Sequence, residues 1–307
     1  MRFWAGVTDN SWYEFLAGRG LDEVNFWQPS ATPPFLHAAP GMPFLFKLKR
    51  PNNHIAGGGY FVTYSVLPMG LAWEVFGEKN GAASSDDLQR IRARLTSDRS
   101  NNDIGCTVLS DPFFLDETEW IADPAGWSGN IVRGKMYDSE QQDGAAIWNE
   151  LALRLQHPVQ PRNTQKLAVG EEAAKYGLPT MVKPRLGQAS FRVLVTDAYK
   201  RRCAITGENT LVALEAAHIV PYANVGTHDV TNGLLLRADF HRLFDVGLVG
   251  VTPDLRMKIS PRIREAYFNG KAYYRMNDQP LSVVPVRPDL RPDPDRLDWH
   301  IKNCFQA

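Results

Sequence analysis

The chain has 307 residues, 44% hydrophobic and 22% charged, with 34 basic and 34 acidic side chains and a net charge of zero. That length is long for one hydrophobic core and comfortable for two domains, and the composition excludes a disordered or fibrous chain. No apolar run approaches the length of a membrane span, and the opening MRFWAGVTDNSW has no basic stretch followed by an apolar core, so a cytoplasmic protein with no membrane partner is expected.

Taken in order, the chain predicts a short helix from about Asp9 to Gly18, capped by Asn10 or Ser11, and then turn formers from Pro29 to Pro43. Phe44 to Lys49 alternates as a strand, Pro51 to His54 is a turn, and IAGGGYFVTY from Ile55 to Tyr64 reads as a second strand. Its three glycines, Gly57 to Gly59, permit a bulge or a close backbone approach. Leu71 to Gly77 and Ser85 to Leu95 read as helices, the latter with Leu88, Ile91 and Leu95 on one stripe and two aspartates in its first turn. Gly105 to Leu109 is strand-like, and residues 139–157 form a helical pattern through Ile147, Trp148, Leu151 and Leu155.

The segment HPVQPRNTQKL, with two prolines, then marks a boundary, so residues 158–184 are expected to link a domain at 1–157 to one at 185–307. Charge divides the same way. Residues 1–157 carry 13 Lys and Arg against 19 Asp and Glu, whereas residues 158–307 carry 21 against 15, a balance that suits phosphate binding in the second half. QASFRVLVTDAYKRR predicts a helix with Phe191, Leu194, Val195 and Ala198 on its apolar face. Beyond Gly247, LVGVTPDLRMKIS reads as strand, turn and strand, PRIREAYFNG as a short helix ended by Gly270, and the four prolines from Pro285 to Pro294 as irregular chain, with Trp299 and His300 docking the tail.

Most of the recognisable chemistry lies between Cys203 and Gly247. His218 ends an apolar run and precedes Ile219-Val220-Pro221, where the proline halts pairing and leaves an imidazole at a strand end. Fourteen residues later Asn232 sits in an Asn-Gly turn pair ahead of Leu234-Leu235-Leu236, which predicts a hairpin bringing the second strand beside the first. Nine residues on, His241 stands four residues before Asp245, on one helix face. Hydrolysis of a phosphodiester needs a base near neutrality, which imidazole supplies, and a divalent cation to neutralise the phosphate and the leaving 3′ oxygen.

Strand, loop, strand and helix carrying His, Asn and His, together with YKRRCAITG, AAHIVPY and NGLLLRADFHRLFD, resemble the ββα-metal fold of the HNH endonucleases, in the branch found in bacterial restriction proteins. The resemblance implies His218 as general base, Asn232 as the residue whose amide pins the loop, and His241 as a metal ligand, with Asp245 supplying a hard oxygen to the same ion. The implied cofactor is Mg²⁺ or Mn²⁺, with Co²⁺ or Ni²⁺ also accepted by an imidazole. Where many members place a metal-binding Asp or His just before the base, this chain has Ala217; Glu215, Asp239 or water is left to fill that position. Arg237 and Arg242 flank His241 as candidate phosphate clamps. Cys106, Cys203 and Cys304 lie about a hundred residues apart with no Cys-x-x-Cys pair, so no four-thiolate structural zinc is expected and Cys203 reads as a buried thiol.

The first half, in GMPFLFKLKRPNNHIAGGGYF, LAWEVFG and GCTVLSDPFFL, resembles the PUA-superfamily barrels, EVE- and ASCH-like modules that read modified bases. Trp27, Trp127 and Tyr60 are the candidates for a modified-base pocket, with Lys47, Lys49 and Arg50 as a local basic edge. The expected fold is therefore α+β: an N-terminal PUA-like β-barrel with helices, then a C-terminal ββα-metal nuclease. The expected function is a metal-dependent, modification-dependent restriction endonuclease of type IV-like action on double-stranded DNA, working as a homodimer or by two independent nicks. A ligand-gated phage-defence nuclease and a DNA-binding protein with a decayed nuclease site, hinted at by Ala217, are the alternatives.

Overall fold

The computed structural model describes residues 1–33, 38–96, 102–124, 126–156 and 184–307, which divide into two compact units, Met1–Arg185 and Leu186–Ala307. The stretch read as a linker, residues 158–184, lies outside the described residues except for Pro184.

The first unit runs β1 (Arg2–Thr8), α1 (Asn10–Leu16), β2 (Glu23–Gln28), β3 (Pro43–Leu48), β4 (His54–Pro68), α2 (Met69–Phe76), α3 (Ser85–Leu95), β5 (Asp103–Phe114), β6 (Ile121–Ala122), β7 (Gly134–Asp138) and α4 (Gln142–Gln156). Asp9, rather than Asn10 or Ser11, caps α1: its carboxylate accepts the N–H groups of Ser11 and Trp12 and meets the positive end of the helix. Ser84 does the same for α3, accepting from Asp87 N at 3.1 Å. The strands form one sheet in the order β2-β5-β4-β3-β1-β7, with β6 on β4 and only β1 and β3 parallel.

The expected closed barrel is corrected here: among the described residues the ladder is an open path ending at β2 and β7. The five-residue β7 spends its pairing on β1 and the six-residue β2 spends its pairing on β5. Curvature comes instead from β4, a 15-residue strand with register shifts at Gly58/Tyr60 and Phe61/Thr63. Its glycines allow neighbouring backbone to come close, since a Cβ on Gly57 would stand 2.2 Å from Phe113 O and one on Gly58 2.6 Å from Phe44 O. Both β4 and β5 run well past the segments that alternation alone marks, because they are buried on both faces over much of their length.

The second unit runs α5 (Gln188–Ala198), β8 (Leu214–His218), α6 (Tyr222–Val225), β9 (Gly233–Arg237), α7 (Ala238–Asp245), β10 (Val249–Val251), β11 (Met257–Ile259), α8 (Arg262–Tyr267), α9 (Lys271–Tyr274) and α10 (Pro294–Asn303). β8 and β9 pair antiparallel from Leu214↔Arg237 to His218↔Gly233, and β10 pairs β11. Phe191 and Val195 of α5, Leu234 and Leu236 of β9, and Phe240 and Phe244 of α7 meet in one core and are each 1% exposed or less. A fully buried Phe or Leu contributes about 1.5–3 kcal/mol, which fixes α5 and α7 against the two strands. Gly233 lets α5 come down on the start of β9, for a Cβ there would be 2.4 Å from Val195 Cγ2. The tail is less irregular than its prolines suggest. Pro294 opens α10, Asp293 caps it, and His300, 2% exposed, stacks on Phe244 at 3.7 Å and donates from Nε2 to Phe244 O.

Candidate active site

His218 is the last residue of β8, and the backbone immediately after it is held by Asn232. The Asn232 side chain is fully buried, accepts Val220 N–H on Oδ1 at 2.9 Å and donates from Nδ2 to Val220 O at 2.8 Å, while its own carbonyl accepts Ile219 N–H. An amide is the side chain that can satisfy both backbone groups of one residue at once. The Asn-Gly pair is not the hairpin's turn, as its composition suggested. Gly233 is extended at φ −120°, and the strands are joined by residues 219–232, which include α6.

Two rings fix the imidazole itself. Phe191 of α5 stacks flat on His218, with centroids 4.0 Å apart and an interplanar angle of 9°. His228, from the loop after α6, brings Nδ1 to 3.1 Å from His218 Nε2 and is itself stacked on Tyr222 at 4.3 Å. Burial, then the neighbouring His228 and His241, push the His218 pKa down to about 4. His218 is therefore neutral, and able to accept a proton, through the neutral range. The sign follows for both activity and stability. The unfolded imidazole takes up its proton near 6.5 and the folded one near 4, so its contribution to stability is complete above pH 6.5 and is lost as pH falls toward 4. With the divalent cation saturating, cleavage limited by this group is expected to keep its rate below pH 6.5 in a kcat/KM profile; an acid limb at pH 6.5 or above that does not move with cation concentration would contradict the assignment.

α7 presents two stripes. Phe240 and Phe244 point into the core, and one position along from each, His241 and Asp245 share the next i,i+4 row. His241 Nδ1 lies 2.6 Å from Glu215 Oε2 on β8, and His241 Nε2 lies 3.4 Å from Asp245 Oδ2. With Nδ1–H donated to Glu215, Nε2 keeps its lone pair toward Asp245. Loss of water around the Asp245 carboxyl pushes its pKa up, countered by His241 and reinforced by Glu215, although the side chain is still 56% exposed.

Among the described residues no group of three or more His, Cys, Asp or Glu side chains is arranged to hold a metal ion. The fit of a divalent cation therefore rests on two donors, His241 Nε2 and Asp245. They suit one in chemistry. A metal-binding imidazole characteristically donates its other N–H to a carboxylate, and Mg²⁺ needs only one or two protein ligands when water and phosphate supply the rest. Ala217 is buried and contributes none, and Glu215 is bonded to His241.

The two arginines differ. Arg237 makes a bidentate pair with Asp239 at 2.6 and 2.7 Å, which holds the Asp239 carboxyl below the usual carboxylate range, and its guanidinium lies over Phe240. Asp239 is thus engaged by Arg237. Arg242 is exposed on α7. Cys203 is buried, with Sγ accepting Arg237 N–H at 3.4 Å.

The aromatic candidates of the first unit do not come together. Trp27, whose Nε1 donates to Asn80 O, lines a 470 Å³ cleft with Trp12 and Phe26, rimmed by Lys49, Arg94 and Arg133. Trp127 lies elsewhere, stacked on Tyr137 with Lys47 Nζ 5.0 Å from its ring, and Tyr60 sits between Pro43 and Ser110 in the sheet; neither lines the cleft. Lys47 is 4% exposed and paired with Asp123 at 3.0 Å, so it forms no basic edge with Lys49. Strand alternation placed the two lysines on one face, but the register shift between Phe46 and Lys47 alters the pairing there. Trp12, Arg94, Arg133 and His228 were missed. A second histidine between the strand-end histidine and the asparagine was the available signal for His228, and the exposed arginines carry none that periodicity can detect.

Residues 203–252 match the family model described as HNH endonuclease, so this stretch of the chain carries an HNH endonuclease domain. Among solved structures, the ASCH protein from Zymomonas mobilis is similar at 11% identity and a TM-score of 0.32, over 47% of this chain and 94% of its own. The modification-dependent restriction endonuclease TagI is similar at 15% identity and a TM-score of 0.30, over 98% of this chain and 81% of its own. No curated protein matches the chain. Among the described residues no helix is long and apolar enough to cross a membrane.

Proposed function

We propose that the chain is a divalent-metal-dependent, modification-dependent DNA endonuclease, with a ββα-metal nuclease in residues 185–307 and a modified-base reader in residues 1–157. One observation carries the nuclease part. A neutral His218, whose Nδ1 makes no hydrogen bond among the described residues, ends the strand beside the helix that bears His241 and Asp245. His218 Nδ1 takes a proton from water; the water oxygen bonds to phosphorus as the P–O3′ bond breaks, leaving a 5′-phosphate and a 3′-hydroxyl that draws its proton from solvent. His241 Nε2 and Asp245 would hold a divalent ion, Mg²⁺ or Mn²⁺, which would supply charge neutralisation for the scissile phosphate and the leaving oxygen. Arg242, and Arg237 within its pair with Asp239, hold flanking phosphates. With one such site per chain, cutting both strands calls for a homodimer or for two independent nicks.

The reader is assigned to the Trp27 cleft. Its volume of 470 Å³ falls within the range that takes a nucleotide-sized ligand, and its lining joins Trp12, Phe26 and Trp27 with Arg94, Arg133 and Lys49, the last paired with Asp9. Trp27→Ala is expected to slow cleavage of the preferred modified DNA about 5- to 150-fold, the equivalent of the ~1–3 kcal/mol lost with one stacked base. The check is a panel of matched plasmids, unmodified or carrying 5-methylcytosine, 5-hydroxymethylcytosine or phosphorothioate. A variant with wild-type preference removes Trp27 from the reader. Cutting of unmodified DNA only when a small nucleotide is added would turn the same cleft into the switch of a ligand-gated effector.

A further inference from the structure

We infer that His228 is the positioning residue that fixes the tautomer and ring orientation of His218, by accepting the His218 Nε2–H on its own Nδ1. This rests on the assignment of His218 as the base. The 3.1 Å separation between the two nitrogens holds one proton. Were His228 the donor, His218 Nε2 would be occupied and its own proton would sit on Nδ1, leaving no lone pair for water. With His218 as donor, Nδ1 is the open acceptor and His228 carries its proton on Nε2. Base action therefore selects the second arrangement.

The surroundings make the pair rigid. Phe191 covers one face of His218, and Tyr222, itself 48% exposed, stacks on His228 with an interplanar angle of 16°, so neither ring turns without losing a stacking partner. The loop is shaped to present His228. Gly226 ends α6 at φ +65°, and Asp229 caps the following turn by accepting Thr231 N–H at 3.0 Å. Asn232 holds the backbone after His218 and His228 holds its ring, so the loop grips the base at two places. When Nδ1 takes the proton, the bond from Nε2–H to His228 becomes charge-assisted and strengthens as the transition state forms.

The test compares His228→Ala, His228→Asn and His218→Ala in the full chain. His228→Ala is expected to lower kcat about 10- to 100-fold on plasmid DNA with Mn²⁺, the cost typical of losing a partner that orients a functional histidine, with KM little changed. Asparagine places Oδ1 close to where Nδ1 stood, so His228→Asn is expected to recover most of that loss. Imidazole ¹⁵N spectra of the metal-free protein, which need no substrate, are expected to show His218 as the Nε2–H tautomer in the wild type and His228→Asn, and as a mixture in His228→Ala. If His218→Ala abolishes cutting while His228→Ala keeps wild-type kcat, the role of His228 is overturned and that of the base stands; if His218 carries its proton on Nδ1 in the wild type, the role of His228 is overturned together with Nδ1 as the accepting atom. If His218→Ala cuts like the wild type, the base assignment falls and this inference with it.

Discussion

His218→Ala is expected to cleave DNA about 10²–10⁴-fold more slowly than the wild-type chain, the range a positioned general base contributes. The imidazole is half-buried between Phe191 and His228, and its lowered pKa keeps it deprotonated through the neutral range. A divalent cation bound at His241 and Asp245 would lower the pKa of a water beside it, so loss of the base and loss of the metal are expected to slow the same chemical step. Folding should survive, since β8 keeps its ladder to β9 and the core side chains are untouched. Single-turnover cleavage with thermal unfolding as control separates the two effects. Slow chemistry in a chain that stays folded at the assay temperature, its midpoint lowered only by the lost stacking on Phe191, is the expected pair.

Asn232→Ala is expected to lower stability by about 2–5 kcal/mol, because it strands two buried backbone groups of Val220, each costing about 1–3 kcal/mol when unsatisfied. Val220 is 5% exposed and Asn232 fully buried, so water does not readily replace the lost bonds. The mutation also frees the chain two residues beyond His218, so cleavage should fall even under conditions where the protein remains folded. Asn232→Asp retains an acceptor for Val220 N–H but buries a carboxyl with an oxygen against Val220 O, so it should recover none of the loss. Urea midpoints at constant m-value measure the series. A midpoint for Asn232→Ala equal to that of the wild type would contradict the clamp.

What could be read in advance follows from where the physics is local. The i,i+4 spacing that sets His241 and Asp245 on one face of α7 is a property of helical periodicity and appears as expected, with Phe240 and Phe244 on the buried row beside it. The β8–β9 pairing was legible from two apolar runs, but its turn was not: Asn-Gly signals a tight hairpin only when the residues before it are already a strand, and here residues 219–232 intervene. Sheet closure lay out of reach because no local pattern states whether the edges at β2 and β7 find each other. Trp27 and Trp127 are alike in composition and surroundings, yet one lines a cleft and the other packs beside Lys47. The placement of Glu215 on His241 and of His228 on His218 depends on contacts 26 and 10 residues apart in the chain, which only the fold brings together.

The proposed hydrolysis of DNA by the second unit uses His218 as its base and a divalent cation at His241 and Asp245. It is tested most directly by incubating matched modified and unmodified plasmids with wild-type and His218→Ala protein, each with Mg²⁺, with Mn²⁺ and with excess EDTA, and examining the ends produced. The expected result is cutting of modified DNA by the wild type alone, abolished by EDTA, with 5′-phosphate and 3′-hydroxyl ends. Cutting by His218→Ala at the wild-type rate, or cutting by the wild type that EDTA does not affect, would contradict it.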